Sequence, residues 1–211
     1  YLNLDTYYFT LLASSTLFIT FFKFGKYDIK SNIFQRILTI FSGYILIPLV
    51  LSIPFYFSIY NLTFSNSFFE AISGFTSTGF TVFENIKLID QSLIIWRSST
   101  QWIGGLYFLF SIIYLIDIYD DSFKKTLTNF ISFNSSEILK QAAKIFILYS
   151  SLTILIFIVL NIFSIRTFDS LNLSLTIISS GGFLPVNELS TIIKENAQII
   201  IFSLLMLFSF F

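Results

Sequence analysis

Cysteine and histidine are both absent from the 211-residue sequence. Without them the chain can form no disulfide, no thiolate or imidazole metal site, and no catalytic triad that uses either residue. Charge is also scarce, because Asp, Glu, Lys and Arg make up 11% of the chain, against roughly 25% in soluble domains. The 12 basic and 12 acidic residues cancel, so nothing in the composition favours a nucleic acid as partner.

Long apolar runs take up most of the chain, and hydrophobic residues make up 55% of it. Several runs approach the ~20 residues that a helix needs to cross about 30 Å of hydrocarbon. The sequence therefore predicts an all-α integral membrane protein with spans at about 7–22, 37–60, 93–116 and 145–165, and a fifth, incomplete span from 198. Pro48 and Pro54 predict a kink in the second span.

Basic residues are concentrated in two of the four polar segments. These residues are Lys23, Lys26, Lys30 and Arg36 after the first span, and Lys124, Lys125, Lys140 and Lys144 before the fourth. Because cytoplasmic loops carry the excess of Lys and Arg, both segments are predicted to be cytoplasmic. The second of them ends in SSEILKQAAK, which predicts a short amphipathic helix. The two glycine-containing polar segments then lie outside or re-enter the membrane from outside.

The glycine-containing segments form an internal repeat. SNSFFEAISGFTSTGF at 65–80 has a counterpart, FDSLNLSLTIISSGGF, 103 residues later at 168–183. Each predicts a short helix, capped by Ser65 or Ser67 in the first copy and by Asp169 in the second, and then a Ser/Thr-rich turn with glycine. An even number of spans separates the copies, so both enter from the same face. This arrangement favours repeats around an axis along the membrane normal over an inverted-repeat transporter.

A glycine-containing turn between two spans can bind a cation without a charged side chain. Non-helical backbone at membrane depth is tolerated only where it is buried in protein or lines a water-filled cavity. There its carbonyl oxygens can replace the hydration shell of a cation, as in potassium filters. Glycine supplies positive φ, and the preceding helix contributes its negative C-terminal end. The alternative is that both segments are plain extracellular loops in which glycine terminates a helix.

Two linked motifs resemble the TrkH/KtrB family of potassium transport proteins. FFEAISGFTSTGFTVFENI, followed by LIIWRSSTQWIGG, is similar to the family's first filter turn and to the WR…QW-GG motif of its next helix. TIISSGGF is similar to the turn of the second repeat. The resemblance implies that potassium is bound by the backbone carbonyls of six residues, namely Ser77, Thr78, Gly79, Ser180, Gly181 and Gly182. Thr76 and Ser179 would lie at the inner edge of this filter. In the family, glycine at the filter position accompanies a preference for potassium.

The resemblance also implies a fold, in which repeated helix–re-entrant pore loop–helix units surround a pore axis, four units to a chain. Residues 1–36 would be an N-terminal transmembrane helix and cytoplasmic loop, 37–116 the first unit, 117–144 a cytoplasmic linker and 145–211 a truncated second unit. Both ends of the sequence look cut. We therefore expect a fragment from the N-terminal half, which cannot close a four-fold ring by itself.

Function and partners follow from the same resemblance. The expected function is potassium uptake across the cell inner (plasma) membrane, without enzymatic activity and without any cofactor besides the transported potassium ion. The expected partners are potassium, the lipid bilayer, a second copy in a homodimer and a cytoplasmic nucleotide-binding regulatory ring. Two alternatives stay open, namely a sodium-conducting relative of the same fold and a non-conducting membrane scaffold.

Several residues near the motifs have structural interpretations. Arg97 lies early in the third span, where it can pair with Glu70 or Glu84 or extend its charge outward, and we expect it to anchor the fold. Four residues of the same span are expected to serve close helix packing rather than ion contact: Gln101, Trp102, Gly104 and Gly105. Phe80 and FLPVNE depart from the family pattern, since a small residue and a polar run are usual there.

Overall fold

The structure, a computed structural model, describes residues 4–25, 33–58, 60–116 and 138–208. Within these ranges all regular structure is helical, which confirms the predicted all-α fold. The α-helices are α1 (Leu4–Phe24), α2 (Ile33–Leu51), α3 (Ile53–Tyr56), α4 (Phe64–Phe75), α5 (Gln91–Ile116), α6 (Ile138–Ile162), α7 (Thr167–Ile178) and α8 (Asn196–Phe208). Short 3-10 helices at Ile86–Leu88 and Leu189–Thr191 precede α5 and α8. Most of the predicted linker 117–144 lies outside the described residues.

The second predicted span is divided between two helices. α2 ends at Leu51, and α3 begins at Ile53. Pro54 accounts for the break, because its ring nitrogen carries no hydrogen to continue the i→i−4 bonding of α2. Together Ile33–Tyr56 have a mean hydropathy of 2.1, and this segment is long and apolar enough to cross a membrane.

The fourth predicted span begins earlier than expected. α6 runs without interruption from Ile138, whereas the apolar pattern predicted a start near 145 after a separate amphipathic helix. Neither glycine nor proline occurs between 138 and 162, so nothing ends the polar first turns before the apolar run begins. The segment Lys140–Ile162 has a mean hydropathy of 2.5 and also meets the length and composition of a membrane span.

The two halves of the chain repeat the same order of elements. α4 and α7 each contain 12 residues, and the spacing of 103 residues separates their first residues as well as their last. The 3-10 helices at Ile86–Leu88 and Leu189–Thr191 keep the same spacing. The repeat found in the sequence is therefore also a repeat of secondary structure.

The predicted helix caps are wrong in both copies. The N-cap of α4 is Thr63, whose side chain accepts a hydrogen bond from the backbone N–H of Asn66 at 3.3 Å. Ser65 and Ser67 both lie inside the helix. In the second copy Asp169 lies in the first turn of α7 rather than at its N-cap, where its negative charge still favours the positive end of the helix dipole.

Each half buries its own apolar cluster, and α5 packs against both short helices. The first cluster contains Leu51, Phe55, Ala71, Phe75, Ile86, Ile89, Leu93 and Ile94. The second contains Ile156, Leu160, Ile165, Leu173, Ile177, Ile193, Phe202 and Leu205. α5 contacts α4 of its own half and α7 of the other half. It therefore joins the two repeats.

Two consecutive glycines let α5 approach the ends of both short helices. A Cβ atom on Gly104 would overlap the backbone of Phe75, the last residue of α4. A Cβ atom on Gly105 would lie 2.5 Å from the hydroxyl of Tyr149 and 3.0 Å from Cβ of Ser179, which follows α7. The expectation that both glycines serve close helix packing is confirmed.

The substitution Gly104→Ala is predicted to destabilise the fold by about 1–3 kcal/mol, the usual cost of overpacking a close contact. The backbone of Phe75 cannot move away as a flexible side chain would. Thermal unfolding of the purified protein in detergent measures the effect. The control is Ser111→Ala on the same helix, because Ser111 donates to the carbonyl of Tyr107 within its own helix. Equal unfolding temperatures for the two variants would contradict the prediction.

Candidate ion site at the two helix-terminal loops

The first loop turns back on the end of α4. Ser77 and Gly79 both have positive φ, at 55° and 79°. The backbone N–H of Thr78 donates to the carbonyl of Ser73 at 2.9 Å. The hydroxyl of Ser73 donates in turn to the carbonyl of Phe80 at 2.6 Å. These bonds close the loop on the last turn of the helix.

The second loop has the same conformation at the same spacing. Ser180 and Gly182 have φ of 53° and 80°, within a few degrees of their counterparts. The N–H of Gly181 donates to the carbonyl of Thr176 at 2.9 Å, and the hydroxyl of Thr176 donates to the carbonyl of Phe183 at 3.0 Å. The two sequences differ at several positions, yet each loop closes through a hydroxyl in the last turn of its helix.

Alternating φ is the feature of these loops that bears on ions. A backbone that alternates between left-handed and ordinary conformations can direct successive carbonyls to one side, and such carbonyls replace water around a cation. Ser77 and Ser180 adopt positive φ at a cost of roughly 1–3 kcal/mol each, because their Cβ atoms are strained there. Each loop follows the C-terminus of a helix, α4 or α7, so each lies at the partially negative end of a helix dipole.

The two loops lie against each other at Gly79. A Cβ atom on Gly79 would lie 2.6 Å from the carbonyl oxygen of Gly181. Positive φ favours glycine at this position, and the close approach of the second loop excludes a side chain there. At Gly182, in contrast, a Cβ atom would meet no atom of the described residues within 4 Å.

The hydroxyls at the start of each loop bond to their own helix. Thr76 Oγ1 donates to the carbonyl of Ile72 at 2.7 Å and lies 2.7 Å from Thr78 Oγ1. Ser179 Oγ lies 2.9 Å from the carbonyl of Leu175. These hydroxyls satisfy carbonyls in the last turns of α4 and α7.

A buried ion pair supports the segments that follow both loops. Arg97 Nε and Glu70 Oε1 are 2.7 Å apart, and their side chains are 1% and 0% exposed. Glu70 also accepts from the hydroxyl of Thr81 and from the N–H of Val82, at 2.9 Å each. Of the two partners expected for Arg97, the structure selects Glu70 over Glu84 and confirms the anchoring role.

Arg97 also reaches the second repeat. Its Nη1 donates to the carbonyl of Leu184 at 3.4 Å, and its guanidinium lies 4.3 Å from the ring centroid of Phe183.

The second repeat has no carboxylate at the position that corresponds to Glu70. Leu173 and Pro185 stand where the first repeat has Glu70 and Val82. Proline has no N–H to donate, so loss of the acceptor there leaves no backbone donor unpaired.

The outer segments of the two repeats are joined by an asparagine within FLPVNE. Asn187 Oδ1 accepts from the N–H of Ile86 at 2.8 Å, and its Nδ2 donates to Asn85 Oδ1 at 3.1 Å. This departure from the family pattern therefore has a structural role in this chain.

The side chain of Gln101 was not predicted to take part in the site. Its Nε2 donates to the carbonyl of Gly181 at 2.5 Å, and its Oε1 accepts from the N–H of Phe183 at 3.2 Å. Gln101 is fully buried. It lies four residues after Arg97, so both side chains leave the same face of α5. That spacing was the signal in the sequence that could have linked the two residues.

The loops lie inside a region that matches a known family. The model of the TrkH family, described as cation transport protein, matches residues 6–210. This chain belongs to the TrkH family. TrkH is a family of membrane-integral transporters rather than enzymes. Among the described residues, no group of three or more acidic side chains is placed to hold a metal ion.

Relatives of the chain in the TrkH family cover both archaea and bacteria. An uncharacterized cation transporter of Methanocaldococcus jannaschii is 28% identical over 74% of this chain and 33% of its own length. The Trk system potassium uptake protein TrkH of Escherichia coli K12 is 26% identical over 63% of this chain and 29% of its own. The chain thus spans about a third of the length of these relatives.

A solved structure has the same fold. The crystal structure of the potassium transporter TrkH from Vibrio parahaemolyticus matches with a TM-score of 0.69 over 87% of this chain and 37% of that one, at 20% sequence identity. The match confirms the predicted fold class of a TrkH-type membrane protein. It does not test which carbonyls bind an ion, so the six filter residues stay a prediction.

Glu70→Gln is predicted to cost about 3–5 kcal/mol of stability, because it leaves the guanidinium of Arg97 buried without a counter-charge. The double variant Glu70→Gln/Arg97→Gln is predicted to cost less than the sum of the two single variants. Thermal unfolding of the purified proteins completes the double-mutant cycle. Glu84→Gln, which changes an exposed carboxylate, serves as the control. Additive effects of the two substitutions would contradict the ion pair.

Proposed function

We propose that this chain supplies two of the loops that form a potassium-selective pathway across the membrane. The proposed ligands are the backbone carbonyls of Ser77, Thr78 and Gly79 and of Ser180, Gly181 and Gly182. One observation carries the proposal, namely that two loops with matching φ values and matching hydrogen bonds meet where Gly79 faces Gly181. Two plain extracellular loops would not be expected to share this conformation and to contact each other at glycine residues.

The groups in the two loops suit a cation that is bound weakly enough to be released. Between 76 and 80, and between 179 and 183, there is no charged side chain. Carbonyl dipoles compensate for the lost hydration of potassium without binding it so strongly that conduction stops. Potassium moves down its electrochemical gradient in this scheme, with no covalent step. The E. coli relative, named as a potassium uptake protein, supports potassium as the ion.

The wider organisation is part of the same proposal. The units 37–116 and 145–211 would be two of four that surround the axis, preceded by 1–36 and joined by 117–144. The whole protein would lie in the inner (plasma) membrane as a homodimer gated by a cytoplasmic nucleotide-binding ring. The family resemblance supports the dimer, the ring and the location, which remain predictions for this chain.

Expression of the complete gene in a bacterial strain that lacks potassium uptake is predicted to restore growth at low potassium and to drive uptake of radioactive rubidium. Sodium flux measured in the same cells separates the alternatives, because a sodium-conducting relative would carry sodium as readily. Absence of rescue, with the protein well expressed and any required partner present, would favour the non-conducting scaffold.

Gly79→Ser is predicted to lower the potassium-to-sodium permeability ratio, since a side chain at this φ collides with the carbonyl of Gly181 and displaces both loops. Ser203→Ala is the matched control, because Ser203 is exposed and donates to the carbonyl of Ile199 within its own helix. Electrophysiology or paired tracer fluxes measure the ratio. An unchanged ratio in Gly79→Ser would count against a role of this loop in selecting the ion.

A further inference from the structure

A single buried amide from the first repeat holds the second loop. Gln101, on α5, makes contacts with three residues of the second repeat. Its Nε2 lies 2.5 Å from the carbonyl oxygen of Gly181. Its Oε1 lies 3.1 Å from the hydroxyl of Thr176 and 3.2 Å from the N–H of Phe183. All of its polar atoms face the loop, although the loop belongs to the other repeat.

The space for this amide exists because residue 181 is glycine. A Cβ atom on Gly181 would overlap the side-chain amide of Gln101. Its counterpart in the first loop is Thr78, which carries a side chain. φ at Gly181 is not positive, so backbone conformation does not explain the glycine. The contact with Gln101 does explain it.

The bond to Gly181 affects how that carbonyl can bind an ion. A carbonyl oxygen has two lone pairs, of which Gln101 engages one and leaves the other. The donated hydrogen bond fixes the direction of the carbonyl and withdraws electron density from its oxygen. Both effects disfavour the smaller sodium ion, which needs ligands that move inward and a stronger field from each carbonyl dipole.

We propose that Gln101 is a positioning residue of the second filter loop and that its bond to the Gly181 carbonyl sets part of the preference for potassium over sodium. The proposal rests on the proposed function, since it assumes that the Gly181 carbonyl binds the transported ion. The proposal gives the glutamine of the QW-GG motif, which belongs to the first repeat, a role at the filter loop of the second repeat.

The test substitutes Gln101→Met in the full-length protein and measures rubidium and sodium fluxes in the same proteoliposomes. Methionine has a similar length but donates no hydrogen bond. The potassium-to-sodium ratio, with rubidium in place of potassium, is expected to fall about fivefold, the equivalent of one net hydrogen bond of ~1 kcal/mol. Rubidium flux itself is expected to persist.

The matched control is Ser98→Ala. Ser98 lies on the same helix and donates to Asn172 Oδ1 at 2.8 Å, so its hydrogen bond joins the same two repeats at a residue of α7 rather than of the loop. A purely structural role of Gln101 would give both variants the same ratio as the wild type, or the same loss of folded protein. An unchanged ratio in a conducting Gln101→Met protein overturns the proposal.

A second variant keeps the test decisive if Gln101→Met does not accumulate. Gln101→Glu has the shape of the amide, and its protonated carboxyl can donate to Gly181 while its ionised form cannot. The ratio is expected to fall as pH rises in this variant, but not in the wild type, which carries the same nearby Arg97–Glu70 pair. Infrared absorption of the protonated carboxyl shows the pH range over which the introduced side chain ionises, and the ratio is expected to equal the wild-type ratio while it is protonated. A ratio that stays at the wild-type value in the ionised form, or that departs from it in the protonated form, overturns the proposal.

Failure of this inference can be told apart from failure of the proposed function. A wild-type protein that carries no rubidium refutes the proposed function itself. A wild-type protein that carries rubidium and excludes sodium, beside Gln101 variants that do the same, refutes only the role of Gln101.

Discussion

Backbone groups that lie away from water must find partners within the protein, and the two loops meet this constraint in the same way. In each, a hydroxyl in the last helical turn reaches forward to the carbonyl of a phenylalanine, from Ser73 to Phe80 and from Thr176 to Phe183. These bonds close the two turns, and Ser77 and Ser180 lie within the closed turns at positive φ. The strained residues are therefore a consequence of closure, and they recur wherever the closure recurs.

Helix α5 carries the rest of the arrangement on one face. Arg97 and Gln101 extend from it to the second repeat, at Leu184 and Gly181. The glycines at 104 and 105 remove side chains where α5 passes the ends of α4 and α7. A charged residue, an amide and two glycines thus form one continuous contact surface. Their clustering within WRSSTQWIGG follows from the geometry of a single helix packed between two loops.

Local patterns predicted much of this structure. The repeat was evident because glycine and hydroxyl residues interrupt an apolar chain twice at one spacing. The sequence offered Glu70 and Glu84 as partners for the charge of Arg97, beside an outward position, and the structure pairs it with Glu70. The start of α6 and the caps of α4 and α7 were missed. A helix continues past an apolar boundary until something stops it, and Thr63 begins α4 earlier than the later serines suggested.

The role of Gln101 was harder to predict for a different physical reason. An amide in an apolar span must bond to something, but the sequence does not say to which element. Its partners Gly181 and Phe183 lie about 80 residues away along the chain and in the other repeat. Only the packing of α5 against α7 brings them together, and that packing depends on both halves.

The central claim is that the carbonyls of these two loops bind the transported ion. Anomalous X-ray scattering from rubidium in crystals of the full-length protein tests it most directly. The account predicts an anomalous peak that lies between the loops and within ligand distance of carbonyls in 77–79 and 180–182. Ordered rubidium only at other sites, with both loops well defined and no peak between them, would contradict the account.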